Sequence, residues 1–266
     1  MIHRRKSLHS TGYLNDDGMI RRHRYFEFDV NNTQIISGQF STLSGQEISV
    51  DWGDGSARSV YSGTDQAWLH DYGSAGDRTV RIFGSVALTK FKMNRSGADI
   101  SFDIANLPAG LTYFYCGGSN TVTGDIANLP SGLTYFDCGG SNAVTGDIAN
   151  LPSGLAHFGC AGNNSITGDV ANLPSGLTHI NCWYVVVADY SGKTWTVKPA
   201  VFICVPVSPG GLSTAEVDQL LIDLDADLTW ASGDVIKLTG ANAARSSASD
   251  AAVNHMVSEG ATVTTN

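Results

Sequence analysis

The sequence predicts a mainly β protein: a small antiparallel sandwich, a solenoid of stacked 22-residue coils, and a closing segment that mixes strand and helix. Three observations carry this. Cysteines stand at 116, 138, 160, 182 and 204, each 22 residues after the last, and a residue returning at a fixed period of about 20–29 positions holds one place in every stacked coil. Short runs before residue 87 alternate apolar and polar. Beyond Cys204, apolar residues fall at helical spacing instead.

Residues 1–24 form a basic arm. Arg4, Arg5, Lys6, Arg21, Arg22 and Arg24 stand against Asp16 and Asp17, a net of +4; the whole chain carries −9, which leaves −13 on the rest. Such an arm docks on a neighbouring acidic subunit or is a solvated tail. Nucleic-acid binding is disfavoured, because nothing in the acidic body extends the patch. The opening Met1 to Ser10 has basic residues but no apolar h-region, so it does not read as a signal peptide. No stretch approaches the roughly 18 apolar residues of a membrane span.

Residues 25–86 hold the alternating runs Tyr25–Phe28, Gln34–Ile36, Glu47–Val50 and Thr79–Ile82, punctuated by Gly, Asn, Asp and Ser. That pattern predicts a small antiparallel sandwich. Trp52 reads as a residue packed between its sheets. Asp51 and Asp54 invite calcium, but Asp54-Gly55 is also turn chemistry, and no Asp-x-Asp-x-Asp-Gly loop stands behind the metal.

Residues 87–208 repeat. Asp103-Ile-Ala-Asn-Leu-Pro returns from Asp125, Asp147 and, with Val170 for Ile, Asp169; each Cys follows a Leu-x-x-Phe-x pattern, as in Leu111/Phe114/Cys116. Lys90 to Met93 reads as an earlier rung, one residue out of phase. Gly-Leu-Thr and Asn-Leu-Pro-Ser-Gly read as turns, and 22 residues are too few for a long helix beside a strand. Five cysteines cannot all pair, and facing the core they behave as small hydrophobes; an exposed CxxC-type metal set is absent. Adjacent rungs lie about 4.8 Å apart, so a free buried ladder favours folding in a reducing cytoplasm.

Residues 209–266 close the chain. Pro209-Gly210-Gly211 breaks the rhythm, Ser213 to Glu216 caps a helix bearing Val217, Leu220, Leu221 and Leu224, and Val235 to Leu238 restores the repeat strand with Asn242 after it. A second helix over Ser249–Ser258 and a strand at Thr262–Thr264 follow. A stack needs such a cap, since its last coil otherwise exposes its core.

The coil motif resembles the leucine-rich-repeat family, with Cys at the third apolar position and the Asn (Asn120, Asn142, Asn164) one residue late. The resemblance implies a parallel sheet on one face and extended or turn-like backbone on the other. Val50 to Ser56, with His70-Asp71-Tyr72-Gly73 and Arg78 to Arg81, resembles the PKD-type immunoglobulin-like family, which implies a sandwich of this size. The closing segment resembles those of phage and Bacteroidetes repeat proteins. Together these are similar to phage tail-fibre and virion adhesion proteins and to BspA-like surface proteins.

Residues flanking each buried Phe face outward and stack into columns. One reads Lys90, Tyr113, Tyr135, His157, His179; its neighbour reads Lys92, Tyr115, Asp137, Gly159, Asn181. Aromatic rings beside amides and carboxylates suit a sugar or protein partner, although the β-propensity of Tyr also favours it here. Trp183 and Tyr184 replace the usual Gly-Gly and mark a second contact surface or an irregular coil. No HExxH, nucleophile elbow or phosphate loop is present, so neither catalysis, cofactor nor metal is expected. With the resemblances and the missing signal, the expected role is a non-enzymatic virion protein, tail-fibre-like or a decoration protein, with other virion proteins, copies of itself or a host surface glycan or protein as partners. The alternative is a bacterial cell-surface or extracellular adhesion protein.

Overall fold

The computed structural model describes residues 25–94, 99–118, 121–140, 143–162, 165–183, 189–207, 210–226 and 228–266, with the backbone of 13–14 and 20–21. The chain is mainly β, with 42% strand and 17% helix in mixed sheets and no closed barrel. Two short strands, β1 (Tyr13–Leu14) and β2 (Ile20–Arg21), pair antiparallel. Six antiparallel strands follow: β3 (Tyr25–Asn31), β4 (Ile35–Thr42), β5 (Glu47–Asp51), β6 (Ser59–Ser62), β7 (Gln66–Asp71) and β8 (Arg78–Phe83). In β3 the alternation buries Phe26, Phe28 and Val30. Strands β6 and β7 escape the sequence pattern because they present Val60 and Leu69 to solvent while Trp68 of β7 is buried, so apolar residues fall on both faces.

The repeats supply β9 (Leu88–Met93), β10 (Asp99–Asp103), β11 (Tyr113–Cys116), β12 (Thr121–Asp125), β13 (Tyr135–Asp137), β14 (Ala143–Asp147), β15 (His157–Gly159), β16 (Ser165–Thr167) and β17 (His179–Trp183). The closing part adds β18 (Val201–Val205), β19 (Val235–Leu238) and β20 (Thr262–Thr265). A ten-stranded sheet runs β20-β19-β18-β17-β15-β13-β11-β9-β4-β7, and an eight-stranded sheet runs β16-β14-β12-β10-β3-β8-β5-β6. Strand pairing crosses residue 87 on both sides: β9 lies antiparallel to β4 and β10 antiparallel to β3. The antiparallel strands and the coils therefore share one core, in which Phe91 touches Phe26, Phe28 and Phe40 on one side and Phe114 on the other. The open end of the stack is closed by the sandwich.

Of the two forms expected for the side of the coils opposite the ten-stranded sheet, the extended one is found: it is a hydrogen-bonded parallel ladder. Its register differs. Tyr113 pairs with Tyr135, 22 residues on, whereas Thr123 pairs with Ala143, only 20 on. Equivalent residues therefore slip two positions per coil, about 6–7 Å along the strand. After each of β10, β12 and β14 an Asp (103, 125, 147) turns the chain, its side chain accepting the N–H of the Ala two residues on at 2.8–2.9 Å; Asp169 repeats the contact with Ala171. This satisfies a donor that a short 3₁₀ turn leaves open. The first coil is one residue longer, for Met93 pairs with Cys116.

Helices replace the eight-stranded ladder at the end. Helix α1 (Thr214–Asp225) starts at a capping box, Ser213 with Glu216, and buries Val217, Leu220, Leu221 and Leu224. Helix α2 (Asp250–Ser258) buries Ala252 and Met256. Asn242 shows what its position demands: Nδ2 donates to Cys204 O and Thr239 O while Oδ1 accepts from Leu212 N. The repeat residues Asn120, Asn142 and Asn164 lie outside the described residues.

Candidate recognition face

Along the ten-stranded sheet, successive residues separate to opposite faces. Phe91, Phe114, Phe136, Phe158, Phe202 and Ile236 are fully buried. The residues beside them point outward and, because pairing runs at 22, like meets like. Tyr113 stacks on Tyr135 with centroids 4.1 Å apart and planes at 14°. Tyr135 stacks on His157 at 4.0 Å and 10°, and His157 on His179 at 5.5 Å and 24°. Lys90 Nζ sits 4.5 Å over Tyr113 at one end and reaches Asp65 at 2.6 Å; at the other end His179 pairs with Val201.

The ring faces are thus turned on each other. The expectation that they cover the apolar face of a sugar does not fit this geometry; ring edges, phenol oxygens and imidazole nitrogens are what the column presents. Burial, then the neighbouring Tyr113, pushes the Tyr135 phenol above its ordinary range. Burial, then the adjacent His157, holds His179 below the usual imidazole value, and Thr178 Oγ1 lies 3.1 Å from His179 Nδ1.

The neighbouring column is in register as well: Lys92, Tyr115, Asp137, Gly159 and Asn181. Asp137 Oδ1 accepts from Gly139 N at 3.0 Å, and Oδ2 lies 3.9 Å from His157 Nε2. A Cβ at Gly159 would come within 2.7 Å of Asp137 Cγ, so the carboxylate fills the space that glycine leaves. Asn181 Oδ1 is buried with no hydrogen-bond partner. Trp183 is half-buried, with Lys237 Nζ 4.1 Å over its ring. Lys237 continues the second column from the restored repeat strand, pairing with Ile203, whereas Asp65 reaches this face from the turn between β6 and β7, and nothing local in the sequence marks it.

Other expected residues fall elsewhere. Tyr184 and the arm residues Arg4, Arg5, Lys6, Arg22 and Arg24 lie outside the described residues, and Arg21 is described only as backbone of β2. Asp51 Oδ1 accepts from Gly53 N, and Asp54 Oδ1 from Ser56 N, while Asp54 Oδ2 meets His70 Nε2 at 2.8 Å. Both carboxylates thus serve the turn. Trp52 is buried and donates to Ser59 Oγ at 2.9 Å. All five cysteines are buried free thiols, with Cys160 and Cys182 Sγ 3.3 Å apart; burial pushes the Cys116, Cys138, Cys160 and Cys204 thiols well up. Among the described residues no three His, Cys, Asp or Glu side chains cluster to hold a metal, and no helix is long and apolar enough to cross a membrane. No family model, curated protein or solved structure matches the chain.

Proposed function

We propose that this chain is a non-enzymatic recognition protein of the virion adhesin class, tail-fibre-like or a decoration protein, with the outer face of the ten-stranded sheet as its binding surface. The observation that carries the reading is the unbroken column Lys90–Tyr113–Tyr135–His157–His179, stacked in register on a face whose core packing requires none of these side chains. The recurring aspartates support a role without catalysis, because Asp103, Asp125, Asp147 and Asp169 each cap a backbone turn. The PKD-type and leucine-rich-repeat resemblances belong to the same proposal: the stacked strands and the buried Trp52 support them. In this reading the sandwich end and the basic arm attach the protein, and the coils present the face.

The test replaces Tyr113, Tyr135 and His157 together with Ala. Intact particles that no longer attach to the host support recognition; normal attachment with failed assembly replaces it with a scaffolding role. Immunogold labelling of native material locates the chain: gold on tails or capsids supports the virion setting, and gold on cell envelopes moves the same face to a cell-surface adhesin.

A further inference from the structure

The two outward columns are rich in donors. Lys90 and Lys92 bring ammonium groups, Tyr113 and Tyr135 phenols, His157 and His179 ring nitrogens. The carboxylates among them, Asp65 and Asp137, are engaged from within: Asp65 by Lys90 at 2.6 Å and Asp137 by Gly139 N at 3.0 Å. Three ammonium groups, with Lys237 continuing the second column, against two carboxylates leave this face at +1 while its histidines are neutral, on a chain that carries −9. With the ring faces consumed inside the column, recognition falls to these donors, and donors in a row call for acceptors in a row.

The donors recur once per coil, about every 4.8 Å. An extended pyranose chain advances by a similar distance per sugar, whereas a polypeptide strand advances about 3.3 Å per residue and does not keep step. We propose that the strip binds a linear acidic polysaccharide laid along the stack axis, one sugar per coil, its carboxylate or sulfate oxygens accepting from the lysines, phenols and imidazoles. This rests on the column being a recognition face. It also makes binding stronger in acid. His157 is faced by Tyr135 and Asp137 of β13 and by His179 of β17; His179 is faced by His157, by Thr178 and by Val201 of β18. His157 and His179 stack at 5.5 Å, so one charged ring disfavours charge on the other; a single proton on the pair adds positive charge beside a single carboxylate, Asp137.

The experiment titrates the full chain with polygalacturonate and, as the neutral comparison, dextran, by calorimetry. Polygalacturonate is expected to bind several-fold more tightly at about pH 5.5 than at about pH 7.5, where its own carboxylates stay ionised throughout, and to weaken as salt rises. K90A/K92A is expected to lose about tenfold in affinity, and H157N/H179N to lose the acid dependence, each with an unchanged melting temperature showing that it is folded. Dextran binding as tightly, or polygalacturonate failing to bind while the Tyr113/Tyr135/His157 variant still loses host attachment, overturns the acidic-polysaccharide class and leaves the recognition face standing. A triple variant that attaches as well as the wild type overturns the face itself.

Discussion

Replacing Gly146 with Ala tests how adjacent coils lock together. Gly146 sits at φ +123°, a region that side chains avoid, and holding a non-glycine residue in such a region costs about 1–3 kcal/mol. Its added Cβ would also land on Asp125 Oδ1 of the previous coil and 2.8 Å from Ile126 Cγ1. That carboxylate holds Ala127 N at 2.9 Å, and losing such a cap costs about 0.5–2 kcal/mol. G146A is therefore expected to destabilise by about 2–5 kcal/mol. D125A alone costs about 1 kcal/mol. With the carboxylate gone, only the backbone strain and the Ile126 contact remain, so the double variant is expected to be less damaged than the singles added together, by about 1 kcal/mol. The assay is urea unfolding of all four proteins followed by circular dichroism. Strict additivity would refute the claim that Asp125 and Gly146 occupy one shared space, and with it this account of the glycine in every coil.

Two further outcomes are expected. The native protein should leave Ellman's reagent uncoloured, and the unfolded chain should titrate five thiols, because each cysteine is buried out of the reagent's reach; rapid native labelling of even one would contradict a sealed core. Asp218, buried in α1, accepts from Ser246 N at 3.0 Å, Ser246 Oγ at 2.5 Å and Ser249 Oγ at 2.6 Å. Burial pushes its pKa up, but these bonds together outweigh it and leave the pKa below the ordinary carboxylate value. A depressed folded value gives stability that is present above the unfolded pKa of about 3.9 and is lost as pH falls through the folded one. D218N should cost about 1–3 kcal/mol at neutral pH and flatten the acid limb of the stability curve; an acid limb identical to that of the wild type would sink this assignment.

Much of the coil was legible because repetition multiplies a weak signal. One Leu-x-x-Phe-x-Cys is an ambiguous apolar run, but its recurrence identifies Phe114, Phe136 and Phe158 as core and Tyr113, Tyr135 and His157 as surface, as their burial shows. The capping box at Ser213 and Glu216 was equally local, since its partners lie within one helical turn. Strands β6 and β7 were not legible, because these edge strands expose Val60 and Leu69 while β7 buries Trp68, so apolar residues lie on both faces. Nor was the mode of the candidate face. The columns followed from spacing alone, but that the rings stack on one another instead of standing open depends on side-chain angles no pattern records.

Residue type and near-neighbour spacing were enough to read the period, the buried and exposed positions within each coil, and the helical character of the closing segment. The folded chain alone reveals that the sandwich and the coils share two continuous sheets, that one ladder pairs at 22 residues and the other at 20, and that Asp65 reaches the outer face. Those facts depend on which strand lies beside which, and strand partnership is fixed by the collective burial of a core whose members are far apart in the chain.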